Sequence, residues 1–267
     1  MMRHRRELAH SHRLSAIRLI ASCALCAVLT GTFCQNLAPL EAKPSALALT
    51  PFSSASGGEP PAPWRAVGLP GGKIPVTQFD ITELDGRKVL RVEASKSYGN
   101  LVHPLPPAVP DSELRLRWRW RLDQPLTGAD LRRREGDDSP LKVCALFDAP
   151  LEKLGFIERN RLRLARSVSG ENLPAATLCY LWDARLASGT LLSNAYTSRV
   201  RFIIVDSGAQ RLGQWVTHSR DLVADFRRAF GQERATVPPL QSVLIGADAD
   251  NTGGHSLGYV GDLTLSP

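Results

Sequence analysis

Asp248, Asp250 and Asn251 place three oxygen-bearing side chains within a four-residue stretch, and Gly253-Gly254 follows them. Such a stretch can wrap a hard cation such as calcium, which takes roughly six to eight oxygen ligands. The spacing is not that of an EF-hand, so Asp262 or a backbone carbonyl would have to complete the shell. Asp-x-Asp-Asn-x-Gly is equally the composition of an ordinary turn, because Asp and Asn bond their own backbone there. Asp137 and Asp138 follow Gly136 and precede an apolar run at Leu141, which puts them in a loop. Paired carboxylates serve as acid and base in glycoside cleavage, but adjacent side chains point apart, so catalysis would need a partner such as Asp250. A solvated turn with a capping Asp is the competing reading.

Tyr180 and Trp182 lie two apart on one face of an expected strand, and Asn194, Tyr196 and Arg201 follow closely. Aromatic rings beside amide and guanidinium donors compose a groove for a polar ligand, sugars included. They also fill an ordinary sandwich interior. Tyr196 and Arg201 sit nearer to loop ends and are the better binding candidates. The chain has no G-x-S-x-G elbow, phosphate-binding glycine loop or H-E-x-x-H helix. His103, His218 and His255 are too widely spaced to suggest a zinc pair or a triad, and no role is assigned to them.

The elements that must position these residues read mostly as strands. From Glu113 to Leu122, Leu114, Leu116, Trp118, Trp120 and Leu122 alternate with Glu113 and four arginines. Period two means a half-buried strand, with both tryptophans in the core and an arginine ladder that is wet or covers something acidic. Further strands are expected over Lys88 to Ala94, Leu141 to Asp148, Ala176 to Asp183, Arg199 to Asp206, Leu212 to His218, Gln241 to Gly246 and Gly258 to Leu265. Leu151 to Ala165 and Asp221 to Phe230 read as helices. The expected architecture is mainly β, a two-sheet antiparallel sandwich of the jelly-roll kind with one or two short helices.

Residues 1–42 have the layout of a secretory signal, with Arg3, Arg5, Arg6, Arg13 and Arg18 ahead of an apolar run from Leu19 to Phe33. That run is too short to span a bilayer, which needs about 20 apolar residues. Ile20-Ala21-Ser22-Cys23 and Arg5-Arg6 fit lipoprotein and twin-arginine signals poorly. Cleavage is expected between Ala42 and Ala48, giving a periplasmic or secreted protein with no membrane span. Residues 43–73, rich in Pro, Ser, Ala and Gly, read as a flexible leader, and 74–267 as a single domain. Losing five Arg and two Glu with the signal lowers the formal net charge from +7 to +4. The remaining basicity is dispersed rather than gathered in tracts, which argues against a nucleic-acid partner. Cys144 and Cys179 remain after the signal. They pair if their strands are neighbours and are small buried hydrophobes if not.

Several motifs occur in a telling order: Trp118-Arg119-Trp120, Gly136-Asp137-Asp138, Leu178-Cys179-Tyr180-Leu181-Trp182, Asn194-Ala195-Tyr196-Thr197, Ser207-Gly208 and Gly213-Gln214-Trp215. Asp225-Phe226-Arg227-Arg228-Ala229-Phe230-Gly231, Asp248-Ala249-Asp250-Asn251-Thr252-Gly253 and Tyr259-Val260-Gly261-Asp262 complete the series. In these blocks the chain resembles DUF3047, an uncharacterised family of exported bacterial proteins. Ala247 stands where that family usually has Thr. The resemblance implies no activity, and the likeness to carbohydrate-binding jelly rolls is an analogy of fold. The residues themselves favour a non-enzymatic sandwich that binds a polar ligand such as a cell-envelope or environmental glycan. The alternative is a polysaccharide hydrolase or lyase using the loop carboxylates.

Overall fold

The computed structural model describes residues 47–110, 113–170 and 172–266. The signal expected over residues 1–42 and the first residues of the leader lie outside the described residues. The strands are β1 (Arg65–Val67), β2 (Gln78–Leu84), β3 (Arg87–Ser95), β4 (Tyr98–Ala108), β5 (Arg115–Gln124), β6 (Ser139–Phe147) and β7 (Ala176–Asp183). After these come β8 (Leu191–Ser193), β9 (Val200–Ser207), β10 (Val216–Asp221), β11 (Leu240–Asp248), β12 (His255–Val260) and β13 (Thr264–Ser266). Two helices interrupt them, α1 (Phe156–Ser169) and α2 (Leu222–Phe230). The two-sheet sandwich expected from the alternation is present. One sheet has the order β1-β4-β11-β6-β7-β9-β8, and the other has β10-β5-β12-β3-β2 with β13 also paired to β5.

One pairing departs from the expected antiparallel arrangement. The chain lays β8 at the sheet edge and returns with β9 between β8 and β7, so β9 runs parallel to β7. Strands β1, β2, β4 and β8, absent from the eight expected, also form. In β4, Pro104, Pro106 and Pro107 mask the strand pattern.

The inward face of β5 behaves as its alternation dictates. Leu116, Trp118, Trp120 and Leu122 are buried, with the Trp118 ring against Tyr180 and the Trp120 ring against Trp182 of the opposing sheet. Each such tryptophan contributes on the order of 4–6 kcal/mol of apolar transfer free energy, taken as an upper bound. The arginine ladder on the other face is satisfied within the chain: Arg115 pairs with Glu113, Arg117 bonds Ser266, Arg119 lies over the Trp215 ring, and Arg121 pairs with Asp123.

The seven-stranded sheet is covered on both faces. In β6, Leu141, Val143, Ala145 and Phe147 join the main core, while Cys144 and Leu146 join a second apolar cluster on the outer face with Leu131, Cys179, Leu181, Phe202, Ile204 and Leu244. Burial on both faces erases the alternation and leaves continuous apolar runs. Cys144 and Cys179 are register partners in β6 and β7 and form a disulfide.

The stretch from Leu47 to Lys73, expected as a leader, instead packs on the sandwich. Leu49, Phe52, Ala55 and Trp64 are buried, and the Trp64 indole donates to the Thr50 carbonyl at 2.8 Å. These residues reach the core one at a time through turns, which is why no period marks them. The helix α2 starts at Asp221, whose carboxylate caps the Val223 and Ala224 amides at 2.9 and 3.1 Å. Among the described residues, no helix is long and apolar enough to cross a membrane.

Candidate functional site

A cavity of about 790 Å³ lies on the outer face of the seven-stranded sheet. Its floor is apolar, with Leu146, Phe202, Leu244 and the Cys144–Cys179 disulfide; Leu162 and Ala165 of α1 and the segment from Tyr196 to Val200 also line it. Its polar wall brings together Asp137, Lys142, Asp248 and Asp250, with Asn100, Ser139, Asn194 and Asn251 beside them.

Two glycines allow this wall to form. A side chain on Gly136 would come within 2.8 Å of the Asp130 amide nitrogen, so only glycine lets the loop before Asp137 close on itself. A side chain on Gly246 would meet Asn100 Oδ1 at 2.5 Å and Lys142 Cε at 2.8 Å. Gly246 thus leaves the space in which Lys142 and Asn100 cross β11.

The four carboxylates near this wall have different roles. Asp248 accepts from the Ser139 amide at 2.7 Å, from Ser139 Oγ at 2.6 Å and from Lys142 Nζ at 3.1 Å. Burial alone would lower the Lys142 pKa, but the Asp248 carboxylate, together with Tyr98 and Asp137, offsets it and holds the ammonium above its ordinary range. Asp138 accepts from the Asn251 amide at 3.1 Å and the Thr252 amide at 2.7 Å, tying its loop to the one after β11. Asp137 accepts from Asn194 Nδ2 through one oxygen, while its Oδ1 is buried without a partner. Burial lifts the Asp137 carboxyl from 3.8 to about 6; the Asn194 bond opposes this and the Asp248 charge adds to it. Asp250 is also raised, first by burial and then by Asp138 and Asp248.

Of the residues singled out for ligand binding, Asp137, Asn194 and Tyr196 line the cavity. Asn194 Oδ1 accepts from the Tyr196 amide at 2.9 Å, and Tyr196, half exposed, donates its hydroxyl to the Arg134 carbonyl at 3.1 Å. Asp138 sits behind the wall as a loop tie. Neither Asp137 nor Asp138 is in a solvated turn, since both are buried.

Tyr180, Trp182 and Arg201 are not at the site. The even-numbered residues of β7 face the core, where Tyr180 donates to Asp225 Oδ2 at 2.8 Å and Trp182 Nε1 to the Gly208 carbonyl at 3.0 Å. Arg201 is held by Glu233 and Ser193 and lies over the Phe230 ring.

The expected calcium set does not assemble either. Asp262 accepts from the Ser53 amide and hydroxyl, apart from the cavity. Asp248 is saturated by an internal ammonium, and Asn251 turns its amide nitrogen to the Asp137 carbonyl. Among the described residues no group of three or more His, Cys, Asp or Glu is placed to hold a metal ion.

Sequence reasoning missed Lys142, Asn100 and the α1 residues Glu158, Arg161 and Leu162. Lys142 carried a signal: it is the single charge inside the apolar run Leu141 to Phe147, and a buried ammonium demands a carboxylate partner. Asn100 and α1 carried none, because their place depends on the strand order.

No curated protein matches the sequence. Solved structures similar in fold include a xyloglucanase of family 12 from Bacillus licheniformis (9% identity, TM-score 0.42, covering 74% of this chain and 90% of that one). Endoglucanase 3 of family GH12 from Trichoderma harzianum is another (12% identity, TM-score 0.37, 78% of this chain and 99% of that one). A third is TmCBM61 in complex with β-1,4-galactotriose (8% identity, TM-score 0.33, 77% of this chain and 88% of that one). At these identities and scores none of their sites transfers to this chain. The family model described as Protein of unknown function (DUF3047) matches residues 62–264, and the chain belongs to that family.

Proposed function

We propose that this chain is an exported β-sandwich, periplasmic or secreted, that binds a polar ligand such as a cell-envelope or environmental glycan without transforming it. The ligand lies in the cavity on the outer face of the seven-stranded sheet. The observation that carries this reading is Asp137 Oδ1, a buried acceptor without a partner on the cavity wall. A buried polar atom left unpaired costs on the order of 1–3 kcal/mol, which a ligand hydroxyl or amine recovers on binding. The cavity volume suits a ligand of a few sugar rings or less, and its apolar floor offers a surface for the C–H face of a ring. Export is supported by the Cys144–Cys179 disulfide, a bond that persists in oxidising compartments.

Binding without turnover is favoured because Asp138 and Asp248 are consumed by structural bonds. The second reading, a polysaccharide hydrolase or lyase, rests on Asp137, whose carboxyl at about 6 is poised to donate a proton, with Asp250 as its partner. Thermal melts of the purified protein against a panel of soluble glycans separate the two. A rise in melting temperature without release of new reducing ends supports binding. Release of reducing ends that disappears in Asp137→Asn would establish the enzyme, and a panel that leaves the melt unmoved would refute the glycan reading.

A further inference from the structure

The polar wall is short of positive charge. Asp137, Asp248 and Asp250 all line it, and Lys142 is the cation among them, already bonded to Asp248 and facing the Tyr98 ring at 5.4 Å. The charges bearing on Asp137 are Asp248 and Lys142 across the wall and Asp138 on its own loop; those on Asp250 are Asp138, Asp248 and Lys142. Two further cations line the cavity away from this wall: Arg199 is paired with Glu158 and Glu233, with its Nη1 left unbonded, and Arg161 of α1 is exposed. Arg134 is turned to the Tyr196 ring and the Ala195 carbonyl. With the carboxylates ionised, three negative groups therefore face one positive group. The unpartnered acceptor, Asp137 Oδ1, belongs to a residue more than nine-tenths buried and is free to accept from a donor brought by the ligand.

We propose that this wall binds a protonated amine, so that the ligand is an amino sugar or an oligosaccharide bearing one, rather than a neutral or acidic glycan. The inference rests on the cavity reading above and narrows its ligand class. An ammonium supplies the missing donor to Asp137 Oδ1 and the missing charge together, and a hydrogen bond between charged partners is about twice as strong as a neutral one. A neutral hydroxyl supplies only the donor. An acidic sugar would be repelled by all three carboxylates.

The test is calorimetric titration of the purified protein with glucosamine oligomers, with the same oligomers N-acetylated, and with n-butylamine, each at pH 5 and pH 7.5. The expected result is binding of the free-amine oligomers, weakened about tenfold or more by N-acetylation. For n-butylamine, which stays protonated at both pH values, affinity should also rise between pH 5 and pH 7.5, as Asp137 ionises on losing its proton near 6. Asp137→Asn should weaken the amine ligand about tenfold while leaving the acetylated one unchanged, and Asp250→Asn, which touches no structural bond described above, should act in the same direction. Equal or tighter binding of the acetylated oligomers would overturn the amine inference and leave the polar-ligand reading intact. Binding of n-butylamine alone would uphold the amine site and overturn the glycan reading. Absence of binding by all three probes would overturn both.

Discussion

Asp137→Asn should make the protein more stable at neutral pH, and the size of the gain follows from the burial of the carboxyl. In the folded chain the group titrates at about 6 against an ordinary 3.8. Between these values the folded state holds more protons than the unfolded one, so this group makes stability fall as pH rises. The penalty is absent below about 3.8 and complete above about 6. A difference of about 2 units corresponds to a ceiling of about 3 kcal/mol, and residual screening by solvent entering the cavity reduces it to on the order of 1–2 kcal/mol. Asparagine keeps the shape, and its oxygen can still accept from Asn194, but it carries no charge to bury. Urea unfolding of both proteins at pH 4 and pH 8 reads the effect. The two should match within about 0.5 kcal/mol at pH 4, and the variant should lead by about 1–2 kcal/mol at pH 8. A variant no more stable than its parent at pH 8, or a gain of equal size at pH 4, would refute the claim that Asp137 is held as a costly buried carboxylate.

Removing the disulfide through Cys144→Ala with Cys179→Ala opens a loop of 35 residues, worth about 3.8 kcal/mol by loop-closure entropy and about 8 °C in melting temperature for a domain of this size. Reduction of the parent protein should lower the melt similarly, and a shift under about 2 °C in both would show that the bond does not constrain the unfolded chain. Gly246→Ala drives a methyl group to 2.5 Å from Asn100 Oδ1 and 2.8 Å from Lys142 Cε. Its expected outcome is a loss of about 1–3 kcal/mol in denaturant melts together with weakened ligand binding. Tyr180→Phe leaves Asp225 short of a buried hydroxyl donor, so it should cost about 1–3 kcal/mol in the same melts. Because Tyr180 faces the core, ligand affinity measured by titration should not change.

Two-residue alternation on β5 was enough to put Trp118 and Trp120 in a core and to call for a second sheet, since a half-buried strand needs a partner layer. The capping Asp221 and the four-residue recurrence of Leu222, Phe226 and Phe230 likewise marked α2, because both signals are local. The loops carrying Asp137, Asn194 and Asp250 were also legible, as Asp, Asn and Gly cluster where the chain turns. Which of these residues meet was decided by strand order alone. The placement of β6 between β11 and β7 joins Lys142 to Asp248 and Cys144 to Cys179, pairs 106 and 35 residues apart. The same arrangement turned Tyr180 and Trp182 inward: a strand covered on both faces shows no alternation to say which of its residues look toward the core and which line the cavity.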